Sequence, residues 1–318
     1  MKHKMIKKLQ KAMFPEFVNS SEPRNNKREA TCGTLHSNIC YGNTYPNSYM
    51  DIYQSPMYQD KPLPVIVYCH GGGYTWGDKV EGDPNAKEQS FWYFEMLLKA
   101  GFHIVSVNYA LAPEYQYPTP VIQLNQCMEY LSRHTKEYGI DMSRIIFSGS
   151  SAGAHLSGQY VNIVTNEDYA RQMKIDPFLK KEQIMAYVSS SGLLDCERFD
   201  KTQSKLFNIM LRGCARAYFN VKKIHGNASV QEANVITHMS KDFPPCFISD
   251  GNQGTFTDQA EDLAVNATLL GIRHQLKLFP KEVAALGHGF EFGETQQAKE
   301  VMKMLLEFLR NCMGEQNL

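Results

Sequence analysis

A serine between two glycines is the clearest candidate for chemistry in this chain. Residues 149–153 read Gly-Ser-Ser-Ala-Gly, which fits the pattern Gly-x-Ser-x-Gly around Ser151. An apolar run at 145–147 precedes the pattern, and a helix-like stretch at 154–156 follows it. A strand that turns sharply into a helix around a serine exposes the hydroxyl for attack on a carbonyl. We interpret Ser151 as a nucleophile; the alternative is an ordinary Gly/Ser-rich turn.

A serine hydroxyl is a weak nucleophile, so a base must lie beside it. His288 lies in the segment Leu-Gly-His-Gly-Phe at 286–290, after the last predicted strand. A glycine-flanked loop in that position would place the imidazole over the carboxyl edge of a parallel sheet. We therefore predict that His288 is the base.

Donors for the developing oxyanion are predicted in the segment His-Gly-Gly-Gly-Tyr at 70–74, directly after an apolar run. Successive glycines let the backbone approach a ligand and direct N–H groups toward it. The amide of Ala152, which follows the candidate nucleophile, is the second predicted donor. A flexible loop or a phosphate cradle is the alternative, but the Gly-Lys-Ser/Thr signature of a phosphate loop is missing.

Apolar runs alternate with helix-like segments along most of the chain. The runs that predict buried strands are 63–69, 102–107, 145–147, 184–188, 247–249 and 275–279. The helix-like segments are 85–100, 120–138, 258–271 and 295–312. This alternation predicts an α/β fold with a mostly parallel central sheet and helices on both faces.

Two segments depart from this rhythm. Residues 196–243 contain helical pieces but no buried-strand run, which predicts a small helical lid inserted between two strands. Residues 1–40 begin with a short amphipathic stretch and predict an N-terminal helical arm. We expect one domain over 1–318 that includes both segments, rather than two domains.

Composition narrows the classes of partner. Of the 318 residues 43% are hydrophobic and 21% charged, and basic and acidic residues are equal at 33 each, so nothing favours nucleic acid. No apolar run approaches the roughly 18 residues of a membrane span, and no apolar segment follows the basic N-terminus as in a secretory signal. The eight cysteines are scattered singly, which predicts reduced thiols in a cytoplasmic protein without metal or other cofactor.

Four motifs in order give the chain a family resemblance. They are His-Gly-Gly-Gly-Tyr at 70–74, Asn-Tyr-Ala-Leu-Ala-Pro-Glu at 108–114, Gly-Ser-Ser-Ala-Gly at 149–153 and His-Gly-Phe at 288–290. Together they resemble the hormone-sensitive-lipase-like and acetyl-esterase branches of the α/β-hydrolases, over residues 60–312. The resemblance implies Ser151 as nucleophile and His288 as base. It also implies the amides of Gly72, Gly73 and Ala152 as oxyanion donors.

The chain departs from this family at three positions. Ser150 stands where the family usually has Asp, and Ala110 where it often has Arg. The third departure concerns the acid of the triad, because Gly254 falls at the aligned position and has no side chain. A carboxylate from elsewhere, or a dyad without an acid, must then serve.

Three aspartates are candidates for the acid. Asp250 ends the penultimate predicted strand and is our first choice. Asp258 opens the following helix, where stabilisation of the helix dipole is its alternative role. Asp195 follows the preceding strand and is the third candidate.

The resemblance implies a serine esterase for short acyl groups, with acetyl first, acting through an acyl-enzyme. The expected partner is a small ester, such as an acetylated carbohydrate or another natural product; a homo-oligomer is left open. An amidase of the arylformamidase kind is one alternative. A ligand-binding protein that has lost catalysis is the other, and the glycine at position 254 is its best support.

Overall fold

A twisted sheet of eight strands forms the centre of the protein. The computed structural model describes residues 4–13, 19–23, 32–80 and 91–314. The strands are β1 (Thr34–Cys40), β2 (Tyr49–Gln54), β3 (Leu63–Cys69), β4 (His103–Val107), β5 (Ile140–Ser150), β6 (Ile184–Ser190), β7 (Cys246–Ser249) and β8 (His274–Lys277). Their order in the sheet is β1-β2-β4-β3-β5-β6-β7-β8. Only the pairs β1–β2 and β2–β4 are antiparallel, so the sheet is mostly parallel.

Ten α-helices connect and cover these strands in the described ranges. They are α1 (Lys4–Met13), α2 (Trp92–Lys99), α3 (Thr119–Arg133), α4 (Thr135–Tyr138), α5 (Ala152–Thr165), α6 (Glu167–Met173), α7 (Lys205–Tyr218), α8 (Ala228–Glu232), α9 (Thr257–Leu269) and α10 (Gln296–Cys312). Helices α2 and α10 pack on one face of the sheet, and α3, α5 and α9 pack on the other.

Strand β3 shows why its sequence is apolar throughout. Side chains alternate between the two faces of a strand. Val65 and Val67 belong to the core beneath α3 and α5, whereas Ile66 and Tyr68 belong to the core beneath α2 and α10. Both faces are therefore buried, as expected for a parallel strand between two helical layers.

The register of β3 and β5 brings two loops side by side. Cys69, the last residue of β3, pairs with Gly149 near the end of β5. The triple-glycine segment that follows β3 therefore leaves the sheet next to the turn that follows β5. Because β6, β7 and β8 are parallel to β5, the loops after all these strands lie at the same carboxyl edge. Ligands of open α/β sheets bind at this edge.

The predicted α/β fold is confirmed, with several corrections to its elements. All six predicted strands are present, but β1 occupies residues 34–40 of the arm that we predicted to be helical. Those residues form a strand because β2 offers an edge for antiparallel pairing. The helix predicted at 120–138 is two helices, broken at His134, and α6 was not predicted. Of the helix predicted at 85–100, the structure shows α2 at Trp92–Lys99, and 85–90 lie outside the described residues.

The segment 196–243 contains no strand in the structure. It holds a short 3₁₀ turn at Cys196–Arg198, then α7 and α8. Across the described ranges, no helix is both long enough and apolar enough to cross a bilayer.

Candidate functional site

Ser151 lies at the turn between β5 and α5, as its flanking residues predict. Its backbone has φ 52° and ψ −117°, a strained conformation for a residue other than glycine. Gly153 makes the turn feasible, because a Cβ atom there would lie 1.9 Å from the Cys69 carbonyl oxygen. The turn thus holds the Ser151 side chain at the carboxyl edge of the sheet, with 8% of the residue exposed.

The triple-glycine segment runs beside this turn. A Cβ atom at Gly71 would lie 3.5 Å from the Cβ atom of Ser151. Gly72 has φ 96°, and a Cβ atom there would lie 2.1 Å from the Trp76 carbonyl oxygen, so only glycine fits. The amides of Gly72 and Gly73 donate to no other described residue. The amide of Ala152 lies in the first turn of α5, where N–H groups have no partner within the helix.

Tyr109 and the His70 ring help to fix the direction of the Gly72 amide, since both bind the Gly71 carbonyl oxygen. Its ring stacks on His70 with 4.2 Å between ring centroids, and its hydroxyl donates to the carbonyl oxygens of His70 at 2.8 Å and Gly71 at 3.2 Å. The N–H and C=O groups of one peptide unit point in opposite directions. Because the Gly71 carbonyl points to Tyr109, the amide of Gly72 points away from it. The motif at 108–114 thus supports the triple-glycine segment on the side away from the Gly72 amide.

His288 lies in the loop between β8 and α10. Its ring contacts those of Phe207 and Phe256, with centroids 5.2 Å and 5.5 Å away. The residue is exposed to solvent, although the protein packed around its ring lowers the pKa of the imidazole to about 4 through desolvation. The ring is therefore neutral at pH 7, which is the form that a general base requires.

Hydrogen bonds connect the neighbours of Ser151 and His288. The Ser151 amide donates to the Ser190 carbonyl oxygen at 3.1 Å, and the Gly289 amide donates to Ser191 Oγ at 2.9 Å. Within the described part of the chain, Ser151 Oγ and the His288 ring form no hydrogen bond. The structure therefore brings both residues to one edge of the sheet without joining their side chains. Such bonds are often long until a substrate is bound.

Asp250 is the only one of the three acid candidates with an open carboxyl oxygen in a buried position. It is 1% exposed, and its Oδ2 accepts from Thr255 Oγ1 at 2.5 Å. Its Oδ1 is buried and accepts no hydrogen bond from any residue in the described ranges. Burial raises the pKa of this carboxyl group to about 7. An imidazole N–H would supply the missing donor.

The other two candidates are engaged at the surface by one arginine. Asp195 Oδ2 lies 2.8 Å from Arg198 Nε, and Asp258 Oδ2 lies 2.9 Å from Arg198 Nη1. The side chain of Asp258 is 54% exposed. The structure gives none of the three carboxylates a hydrogen bond with His288, so the choice among them rests on burial and on their other partners. Gly254, at the aligned acid position, lies against Ser204.

Sequence reasoning missed Asn252, which ties the Asp250 turn to the loop before His288. Its Nδ2 donates to the carbonyl oxygens of Phe279 and Ala284, both at 2.9 Å. Its Oδ1 accepts from the Leu286 amide at 3.0 Å, and its own amide donates to the Leu286 carbonyl oxygen at 2.8 Å. The only sequence signal was its position two residues after Asp250.

Sequence reasoning also missed Glu291, which is 1% exposed although it is an acid. It lies in a 3₁₀ turn, Phe290–Phe292, three positions after His288. An acid between two phenylalanines beside a candidate base was a signal that could have been used.

Helix α7 covers the site from above the sheet edge. At its N-terminal end Phe207 contacts His288, and at its C-terminal end Tyr218 stacks on Tyr74 with centroids 3.8 Å apart. Between them Cys214 packs against Gly73, where a Cβ atom would lie 2.9 Å from Sγ. The helix therefore extends from the triple-glycine segment to the candidate base.

Ser150 accepts a hydrogen bond from Tyr68 Oη at 3.1 Å. At the position where the family usually has Asp, this chain therefore has a serine whose hydroxyl binds a side chain of the neighbouring strand β3.

The chain matches one family model and many solved structures. The BD-FAE model matches residues 50–268. The probable carboxylic ester hydrolase LipM of Mycobacterium tuberculosis is 26% identical over 280 residues, which are 88% of this chain and 62% of LipM. The chain thus spans less than two thirds of that relative.

Two solved structures show the same fold. Esterase B of Lactobacillus rhamnosis superimposes with a TM-score of 0.75 at 16% identity, over 91% of this chain and 90% of that one. An esterase from the bacterial hormone-sensitive lipase family gives a TM-score of 0.66 at 20% identity, over 91% and 87% of the two chains. These similarities confirm the α/β-hydrolase fold and the hormone-sensitive-lipase-like resemblance.

Proposed function

The chain belongs to the BD-FAE family, and from this premise we propose that it is a serine hydrolase of carboxylic esters. In the proposed mechanism Ser151 Oγ attacks the ester carbonyl carbon while His288 takes the hydroxyl proton. Asp250 accepts a hydrogen bond from the imidazole and stabilises the imidazolium that forms.

The proposed oxyanion donors are the amides of Gly72, Gly73 and Ala152. The C–O bond of the tetrahedral intermediate breaks, and the imidazolium returns its proton to the departing alcohol. A water molecule then gives a proton to the imidazole and attacks the acyl-serine; as the bond to Ser151 Oγ breaks and the acid leaves, the imidazolium returns that proton to the serine oxygen. Amides that already point to the oxyanion need no reorganisation during the reaction.

The conformation of Ser151 is the observation that supports this proposal most. Backbone strain of this kind costs on the order of 1–3 kcal/mol and is concentrated at functional sites. Here the strained residue lies beside three amides without acceptors, on a sheet edge that also carries a neutral imidazole. An ordinary turn would require none of these features.

Asp250 is our proposed acid because it is buried with an open oxygen on the turn that holds the His288 loop. Asp195 and Asp258 neutralise Arg198 instead. The proposed acid thus belongs to the strand end itself rather than to the aligned position four residues later.

We propose short acyl groups, with acetyl first, as the substrates. Cys214 lies against Gly73, and the stacked pair Tyr74 and Tyr218 fills the space behind it. These contacts place bulky side chains against the triple-glycine segment, which favours a small acyl group. The alcohol would be a carbohydrate or another small natural product.

We further propose that 1–318 acts as one domain in which residues 196–243 serve as the lid. The contacts of α7 with Tyr74 and His288 support this role. Leu206 and Ile209 on the same helix are 79% and 54% exposed, so the outer face of the lid is partly apolar.

Hydrolysis of p-nitrophenyl esters from C2 to C8 tests the function. We expect the highest kcat/KM at C2, loss of turnover in Ser151→Ala, and a fall on the order of 10⁴ in Asp250→Asn. Asp258→Asn is the matched control, since it removes an equally sized carboxylate whose partner is Arg198. Equal losses in the two aspartate variants would contradict the assignment of Asp250.

A ligand-binding protein without catalysis is the second candidate. The missing side chain at Gly254 and the unjoined Ser151 and His288 favour it. Failure of a fluorophosphonate to label Ser151 would support a ligand-binding protein without catalysis.

Hydrolysis rates on aryl formamides and aryl acetates, measured side by side, distinguish the third candidate. Faster hydrolysis of the formamides would identify an amidase.

A further inference from the structure

Glu291 is a buried acid that the proposed mechanism does not use. An isolated carboxylate loses several kcal/mol when it leaves water, unless donors replace the water. Three donors do so here. Ser191 N and Ser249 Oγ donate to Oε1 at 3.0 Å and 2.8 Å, and Ser191 Oγ donates to Oε2 at 2.8 Å. Two serines at the ends of neighbouring strands thus converge on one carboxylate.

Ser191 connects this carboxylate to the candidate base. Its hydroxyl donates to Glu291 and accepts from the amide of Gly289 at 2.9 Å. Gly289 is the residue directly after His288. The same serine has φ 47°, a conformation that orients its amide and hydroxyl toward Glu291 together. Glu291 therefore anchors the segment that follows His288 at two points: at its own position, and through Ser191 at the amide of Gly289.

We propose that Glu291 is a positioning residue: through Ser191 it fixes the segment that carries His288, and it places a negative charge beside Asp250. The proposal rests on the function proposed above. It predicts two separable effects, one on the geometry of the imidazole and one on the ionisation of Asp250.

The charge effect is defined by the titratable groups around Glu291. Asp250 directly follows Ser249, whose hydroxyl donates to Glu291; Tyr93 lies on α2, and His288 precedes Glu291 on its own loop. Burial raises the pKa of Glu291 itself, whereas the hydrogen bonds from Ser191 and Ser249 favour its ionised form. Burial first, and then the charge of Glu291, raise the pKa of Asp250 to about 7. Burial raises the pKa of Tyr93 to about 12, so the phenol is neutral. Asp250 is therefore the neighbour whose ionisation depends on Glu291 near neutral pH.

Ser191 and Ser249 provide a matched pair for the geometric effect. Each hydroxyl donates at 2.8 Å to the carboxylate of Glu291, but only Ser191 also contacts Gly289. We expect Ser191→Ala to lower kcat on the order of tenfold or more, because small misplacements of a catalytic group are costly. Ser249→Ala should lower kcat less than threefold, although it should shift the urea midpoint of unfolding by about as much as Ser191→Ala does. Equal kcat losses in the two variants would overturn the positioning role.

Glu291→Gln tests the charge effect while it preserves shape. Catalysis requires ionised Asp250, so kcat/KM falls as pH drops through the pKa of that group. Removing the neighbouring charge should move this acid limb to lower pH, since a like charge raises the pKa of a carboxyl group. An acid limb at the same pH in parent and variant would overturn the charge effect.

A titration that needs no turnover separates this proposal from the proposed function. We would follow the carboxyl ¹³C signal of Asp250, assigned with Asp250→Asn, in the parent and in Glu291→Gln. A lower midpoint in Glu291→Gln is expected even if no ester is hydrolysed. An unchanged midpoint overturns the charge effect, whereas a parent that cleaves no ester from C2 to C8 contradicts only the function.

Discussion

The ring of Tyr109 lies face to face with that of His70, with 10° between their planes, and its hydroxyl binds the His70 carbonyl oxygen at 2.8 Å. Tyr109 therefore contacts both the ring and the backbone of His70, the residue that directly precedes the three glycines. The Gly71 carbonyl oxygen binds the Tyr109 hydroxyl at 3.2 Å and His70 Nδ1 at 2.8 Å, and the Gly72 carbonyl oxygen accepts from the amides of Thr75 and Trp76.

Tyr109→Phe keeps the stacking and removes the hydroxyl. We expect kcat on p-nitrophenyl acetate to fall about tenfold with little change in KM, because the oxyanion amides lose their fixed direction. The free energy of unfolding should fall by about 1 kcal/mol. Tyr160→Phe is the control, because it removes a buried hydroxyl that binds Asn125 at 2.7 Å away from the site. Similar kcat values in the two variants would contradict the role of Tyr109.

Gly72→Ala should abolish most turnover. The added Cβ atom would meet the Trp76 carbonyl oxygen at 2.1 Å, so the loop must move and its amides move with it. We expect kcat to fall by about 10²–10³, the usual cost of a lost oxyanion donor. Gly101→Ala shares the strain of a positive φ, 92°, but has open space around the new atom. It should lose stability and keep its kcat.

Asn252→Asp replaces the Nδ2 donor by a second oxygen that faces the Phe279 and Ala284 carbonyl oxygens. We expect the His288 loop to loosen, with kcat reduced more than tenfold and the free energy of unfolding reduced by about 2 kcal/mol. In the control Asn162→Asp, the lost donor bound the Val235 carbonyl oxygen. A loss of stability without a loss of kcat is expected there, from urea unfolding and steady-state kinetics.

Asp250 should make stability depend on pH. Its pKa in the folded protein is raised to about 7 from the ordinary 3.8, chiefly by burial. Such a group stabilises the fold fully below pH 3.8, and this contribution is lost as pH rises through 7. The loss is on the order of 1.4 kcal/mol for each pKa unit. Asp250→Asn should therefore gain stability relative to the parent between pH 4 and pH 8, as measured by urea unfolding at each pH. A constant difference would contradict the raised pKa.

The sequence predicted those features that depend on neighbouring residues. The turn around Ser151 needed only an apolar strand before it and small residues after it. The parallel sheet followed from the alternation of strands and helices, and the loop at His288 from its glycines. Strand β1 was missed because the segment 34–40 becomes a strand only when β2 offers an edge.

The interactions that arrange the site could not be predicted in this way. Glu291 and Ser191 are 100 positions apart, and Asn252 binds carbonyl groups up to 34 positions away. No local pattern reveals that Asp250 retains an open oxygen while Asp258 binds Arg198. These contacts depend on how the loops meet once the sheet has formed.

Covalent labelling of Ser151 tests the central claim most directly. The protein would be treated with a fluorophosphonate and the adduct located by peptide mass spectrometry, while hydrolysis of p-nitrophenyl acetate is followed in the same sample. We predict one adduct per chain, on Ser151, with activity lost in proportion and no adduct in Ser151→Ala. An unlabelled Ser151 in a folded protein, or activity that survives complete labelling, would contradict the account.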